Sequence, residues 1–280
     1  MKGLERFSVL TFLFAVLLGG SLGQSSEPKT RSKPASKEEL AGTEARGRML
    51  YEYDQAAWHS TDAVVALKAS TGFTSFVGRK VDGKWVVVYG KVDNAANKYL
   101  VLYEAKQGES PTEFSVNYFA KPKGVDGYFL NAARAFELGR KEFGKTDRAY
   151  NTAVLPADDG KFYVYLMPAQ TTNGVYPLGG DVRYLVSKDG KTVIKRRQLH
   201  ITVLEFASTE ADKPSGAMHT ALLDEVPEDT DVFHVLTRQP RFPQWILSKN
   251  FVYIVKEDGT LMYLMTVEAY KRIGNKEKQQ

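Results

Sequence analysis

Two hydrophobic periods divide the chain. From Ser36 onward, Leu40, Met49, Leu50, Tyr53, Ala57 and Trp58 recur at three- and four-residue intervals, the period of a helix with one buried face. Ser36 and Glu39 have the spacing of a capping box. Gly42 and Gly47 weaken the first turns, so the pattern places the firm helix from about Thr43. After Gly72 the period falls to two. Thr74–Lys80 and Lys84–Gly90 flank Asp82-Gly83, a hairpin signal, and Tyr99–Ala105 and Glu113–Ala120 read as two further strands. Over Val125–Phe143 the helical period returns, with Phe129, Ala132, Ala133, Phe136 and Phe143 on one face.

The remainder reads as strands: Tyr150–Leu155, Lys161–Met167, Asp181–Ser187, Thr192–Leu199, His200–Phe206, Val232–Leu236, Phe251–Val255 and Thr260–Thr266. Turns are supplied by Asp159-Gly160, Asp189-Gly190 and Asp258-Gly259. Strands joined by short turns and only two or three helices predict an α+β fold with a mainly antiparallel sheet. Residues 37–145 form a helix, a four-strand meander and a helix. Residues 146–274 form a strand-rich second half, either its own unit or one domain with the first, and 275–280 a frayed polar tail.

The N-terminus carries a different pattern. Lys2 and Arg6 precede an apolar stretch from Phe7 to Leu18, followed by Gly19, Gly20, Ser21, Leu22 and Gly23, the order of a secretory signal peptide over 1–23. The apolar run is shorter than the ~20 residues a spanning helix needs, so no membrane span is expected after cleavage. Residues 24–36, rich in Ser, Pro, Lys and Gln, read as a flexible tether. The product is expected to be exported, periplasmic or secreted.

Composition narrows the chemistry. With no cysteine among 280 residues, disulfides, thiolate nucleophiles and cysteine-ligated metals are excluded. The formal charge of +5 falls to about +4 once residues 1–23 are removed. Its tightest basic cluster, Lys188, Lys191, Lys195, Arg196 and Arg197, sits in a strand and turn, and no one-sided basic patch marks a nucleic-acid partner. Neither Gly-x-Ser-x-Gly nor a phosphate loop occurs. Leu178-Gly179-Gly180-Asp181 precedes a strand and reads as a tight turn.

Four histidines remain. His59, beside Trp58 at the end of the first helix, has a structural place there. His200, His219 and His234 lie in strand-like stretches with Asp224, Glu225, Glu228, Asp229 and Asp231 among them, and histidines with carboxylates can hold zinc. No HExxH occurs, and apolar neighbours turn His200 and His234 to the polar faces of their strands, which favours three structural histidines. The Pro-punctuated segment carrying Arg238, Arg241, Phe242 and Trp245 has the residue types of a recognition loop.

Ala217-Met218-His219-Thr220, followed by Pro227-Glu228-Asp229-Thr230-Asp231, resembles a degenerate form of the JAB/MPN metalloprotease signature. That family carries His-Ser-His-Pro and then Pro-Ser-x-x-Asp, with both histidines and the aspartate on zinc and an upstream glutamate as general base. His219 matches the second histidine, Asp231 the aspartate and Pro227 the proline, whereas Ala217 and Glu228 replace the first histidine and the serine. No glutamate lies between Gly144 and Leu204, where the base belongs. The resemblance, about fifteen residues long, implies a zinc site in which His200 or His234 supplies the missing ligand.

Three readings follow. The first is a non-catalytic binding or envelope-associated domain that needs no cofactor, and another is a chaperone-like or assembly module that meets an envelope protein through exposed strand edges. The alternative is a metal-dependent hydrolase with a degenerate JAB/MPN-like site, its zinc held by His219, Asp231 and His200 or His234.

Overall fold

The computed structural model describes residues 30–69, 72–207 and 214–277. The signal-peptide reading lies outside them. Helix α1 (Lys37–Ala66) is followed by strands β1 (Ser75–Val81), β2 (Lys84–Asp93), β3 (Lys98–Gln107) and β4 (Phe114–Val125), then by helix α2 (Gly127–Phe143). Strands β5 (Tyr150–Pro156), β6 (Phe162–Pro168), β7 (Val175–Gly179), β8 (Val182–Val186), β9 (Val193–Gln198), β10 (Val203–Ala207) and β11 (Ala217–Thr220) come next. Helix α3 (Asp229–Thr237), strands β12 (Gln244–Leu247), β13 (Phe251–Val255) and β14 (Leu261–Thr266), and helix α4 (Val267–Glu277) complete the α+β order. No helix among the described residues is long and apolar enough to cross a membrane.

The chain divides into two compact units, and neither is a continuous half. One comprises Met49–Pro168 with Asp181–Gln198. The other comprises residues up to Arg48, Ala169–Gly180 and Leu199 onward. In the first of these, α2 meets two four-stranded antiparallel sheets, ordered β1-β2-β3-β4 and β5-β6-β8-β9. Alternation puts Val77, Val88, Tyr99 and Val101 of one sheet, and Val154, Phe162, Val164, Val182 and Val186 of the other, in one core with Leu130, Ala132, Ala133 and Phe136 of α2. The small residues have a reason: a Cβ on Gly139 would stand 2.6 Å from Val164 Cγ1, so only glycine lets α2 lie this close to β6.

The other unit holds the ribbon β7–β10 and a sheet ordered β11-β12-β13-β14. Here β11 and β12 are parallel, and the crossover that parallel pairing demands is α3. Residues 30–36, expected to be part of a loose tether, are docked at Arg31 and Ala35. Arg31 N–H donates to Glu225, and Ala35 N–H donates to the Tyr253 hydroxyl.

Several elements depart from the pattern. Val232–Leu236 alternates like a strand but lies in α3. Asp229 and Asp231 favour a helix N-terminus, and Glu228 with Asp231 closes a capping box that outweighs the alternation. His200 lies in the loop before β10, not in a strand. α1 begins at Lys37, where Ser36 and Glu39 exchange both capping hydrogen bonds, so Gly42 and Gly47 do not delay it. His59 lies inside that helix, its ring 4.6 Å from that of Trp58. α4 occupies residues 275–277 of the expected tail.

Asp54 on α1 is half-buried, and burial pushes its carboxyl up to about 6. A carboxyl raised in the folded state favours folding when protonated, so its contribution is present below its ordinary 3.8 and is lost as pH rises to about 6. Asp54→Asn is therefore expected to raise the thermal midpoint at pH 7.5 and to leave it nearly unchanged at pH 4, read by circular dichroism melts.

Candidate functional site

Three segments of the second-described unit converge. His219 is the third residue of β11, Asp231 sits in the first turn of α3, and His200 lies just before β10. Nε2 of His200 and Nε2 of His219 each stand 3.2 Å from Asp231 Oδ1, and one nitrogen or oxygen from each of the three residues lies within 4.8 Å of the others. Asp231 is 1% exposed and His219 is 6% exposed.

The fold fixes each group separately. Asp231 Oδ2 accepts the Glu228 N–H at 2.7 Å, which leaves Oδ1 for the imidazoles. His219 Nδ1 faces the Gln244 side-chain amide at 2.6 Å, and Gln244 is fully buried at the start of β12. His200 is placed by a glycine. Gly179 closes β7 at φ 90°, and a Cβ there would stand 2.2 Å from Thr202 O and 3.1 Å from His200 Cβ. Gly47 does the same for α3: its Cβ would meet Asp229 O at 2.5 Å and Val232 Cβ at 2.6 Å. Arg46 pairs with Asp229 at 2.9 Å beside that crossing.

Burial alone would push the Asp231 carboxyl up, yet His219 and His200 outweigh it and hold the carboxyl well below the usual carboxylate range. Asp231 Oδ1 and His219 Nε2 are buried and 3.2 Å apart, and neither has a hydrogen-bond partner of acceptable geometry. A tetrahedral ion with bonds of ~2.0–2.1 Å sets its ligand atoms ~3.3 Å apart, which matches the 3.2 Å separations here. The donor set fits a zinc-class ion, with three protein ligands and a remaining position. His200 and His219 also line a cavity of ≈ 30 Å³, room for about one water-sized group, together with Leu178, Gly179, Thr202 and Leu204.

Of the other residues named from sequence, His234 stands one turn beyond Asp231 but outside the cluster. Burial, then the Arg238 charge, pushes its imidazole well below its usual value, and its ring packs 5.4 Å from that of Phe206. It faces the interior rather than the polar face of a strand. Arg238 is completely buried and Phe242 is 1% exposed, with the guanidinium 3.9 Å from the Phe242 ring, so these two offer no surface to a partner. Arg241 Nε donates to Leu236 O, and Trp245 is half-buried in β12. Arg238 and Phe242 are therefore core residues, whereas Arg241 and Trp245 stay partly exposed.

The neighbouring carboxylates have other partners. Glu225 accepts hydrogen bonds from Arg31, Ser248 and Asn250, Asp224 accepts the Glu225 N–H, Asp229 pairs with Arg46, and Glu228 closes the cap. Glu205, just past the stretch lacking glutamate, alternates along β10 with the cavity-lining Leu204 and so takes the opposite face. Gln244, Gly179 and Gly47 were not identifiable as site residues from sequence, because each acts by a close approach between segments distant along the chain.

Comparison with known proteins returned no matching family model, no matching curated protein and no matching solved structure.

Two glycine substitutions separate local from tertiary effects. Gly42→Ala, whose Cβ would meet only the Arg46 guanidinium at 3.3 Å, is expected to stabilise by up to ~1 kcal/mol through helix propensity. Gly47→Ala is expected to cost about 1–3 kcal/mol through overpacking against α3. Urea unfolding of both variants measures the difference.

Proposed function

We propose that this chain is a metal-centred protein of the hydrolase class, with one zinc-type ion held by His200, His219 and Asp231. The supporting observation is the pair of buried, hydrogen-bond-free atoms, His219 Nε2 and Asp231 Oδ1, set 3.2 Å apart with His200 alongside. The JAB/MPN-like register of His219 and Asp231 supports the same assignment, with His200 in place of the histidine that Ala217 replaces.

An ion of this kind supplies Lewis-acid polarisation of a carbonyl and activation of water. The chain's own residues do the rest. Asp231 contributes the negative charge, and Glu228 N–H holds its second oxygen. Gln244 Nε2 faces the ring; the metal-binding tautomer needs the amide flipped, so that Oε1, otherwise buried without a partner, accepts from Nδ1–H and leaves the Nε2 lone pair for the ion. The cavity beside His200 and His219 leaves room for a small reacting group. A second reading, an exported binding protein that holds a ligand at this ion without turnover, is favoured by one observation. Among the described residues, the cavity lining contains no carboxylate to take a proton.

The chain purified without chelators is expected to carry about one zinc per molecule by elemental analysis. His200→Ala, His219→Ala and Asp231→Asn are expected to lose it, whereas His234→Phe retains it. Gln244→Leu is expected to weaken binding ~10–100-fold, read by competition with a chromophoric chelator. Absence of zinc, together with no thermal shift on adding it, sinks the proposal. Hydrolysis of ester or peptide substrates by the zinc form, lost in Asp231→Asn, selects the first reading over the second. Export is also proposed, from the leader pattern of residues 1–23. Intact mass of the protein recovered from an expressing cell's envelope or medium is expected to show a chain beginning at Gln24, and a retained Met1 overturns it.

A further inference from the structure

Large aliphatic side chains stand in solvent around the candidate ion site. Ile201 is 57% exposed, Leu204 42% and Leu222 58%, and all three line the cavity that His200 and His219 enter. Met218, next to His219 on β11, is 52% exposed. Leu204 shares its face of β10 with Phe206, which packs against His234, yet Leu204 itself stands exposed at the cavity mouth. Aliphatic groups clustered in the open beside polar donors mark a ligand surface more often than chance exposure does.

The rest of the lining agrees. Leu178, Leu199 and Leu223 are apolar, Thr202 and Thr220 carry hydroxyls, and the two histidines are the only titratable groups among the lining residues described. Among the described lining residues, a sugar or phosphate would meet few donors, and a cationic group would meet no carboxylate. The ≈ 30 Å³ space next to the histidines takes only a small head group, so a larger body has to lie across the aliphatic rim.

We propose that the site takes ligands with a small oxygen donor, such as a carbonyl, carboxylate or hydroxamate, attached to an uncharged aliphatic group that packs on Ile201, Leu204 and Leu222. The proposal deepens the metal reading above and rests on it. An acyl chain or the side chain of an aliphatic amino acid has this chemistry. The aliphatic contact gives selectivity of roughly fourfold per methylene fully buried, and less where the rim stays partly wet.

Alkyl hydroxamates test it by binding alone, without reliance on turnover. Titration calorimetry of the zinc-loaded chain is expected to show octanohydroxamate binding at least ~10-fold tighter than acetohydroxamate. Leu204→Ser and Leu222→Ser, both at exposed positions, are expected to retain zinc and to reduce that ratio below about threefold. Leu264→Ser, at an exposed position of β14, is expected to leave the ratio unchanged. His219→Ala is expected to bind neither compound. Equal affinity for the two hydroxamates on a zinc-containing protein overturns the aliphatic specificity and leaves the metal site standing. A wild-type chain that takes up no zinc overturns both.

Discussion

A buried carboxylate organises this part of the molecule. Removing an ionised aspartate from water is costly unless hydrogen bonds or opposite charge replace the water. Asp231 solves this asymmetrically. One oxygen is bound by the backbone at the start of α3, and the other is left to two imidazoles. Several surrounding features support that arrangement. The parallel pairing of β11 and β12 requires a crossover, the crossover brings the helix N-terminus to His219, and Gly47 lets α1 approach the same turn. A side chain at Gly47 or Gly179 would press on the segments that deliver two of the three groups.

The regular parts of the fold were legible because they obey one period at a time. The Asp82-Gly83 hairpin, the four-strand meander and the α2 face rest on alternation and turn chemistry between neighbours in sequence. The legibility ends where two signals compete. Val232, His234 and Leu236 alternate like a strand, but acidic residues at positions 229 and 231 cap a helix, and the capping geometry prevails. Short strands such as β11 and β12, four residues each, carry too little pattern to be seen.

The candidate site divides the same way. His219 and Asp231 could be paired only by the JAB/MPN-like register around Pro227; spacing alone favours structural histidines. His200 could be named only as one of two possible third partners. Choosing it over His234 depends on a glycine contact between β7 and the loop before β10, and no local pattern encodes that contact. Arg238 and Phe242 show the converse case. Arginine and aromatics in a Pro-rich loop look like recognition chemistry, yet the guanidinium stacks inward on Phe242, and its Nη2 donates to the Phe242 carbonyl.

In the proposed centre, the two imidazoles and single carboxylate would also govern discrimination among ions. Magnesium and calcium are hard cations that favour shells of oxygen, with six to eight ligands for calcium, and nitrogen donors are poor replacements. If the cluster holds an ion as proposed, two ring nitrogens and one oxygen at 3.2 Å spacing would discriminate against the abundant alkaline-earth ions by ligand softness rather than by size. In surroundings where those ions outnumber transition metals by orders of magnitude, that preference would keep the centre available to the scarcer metal.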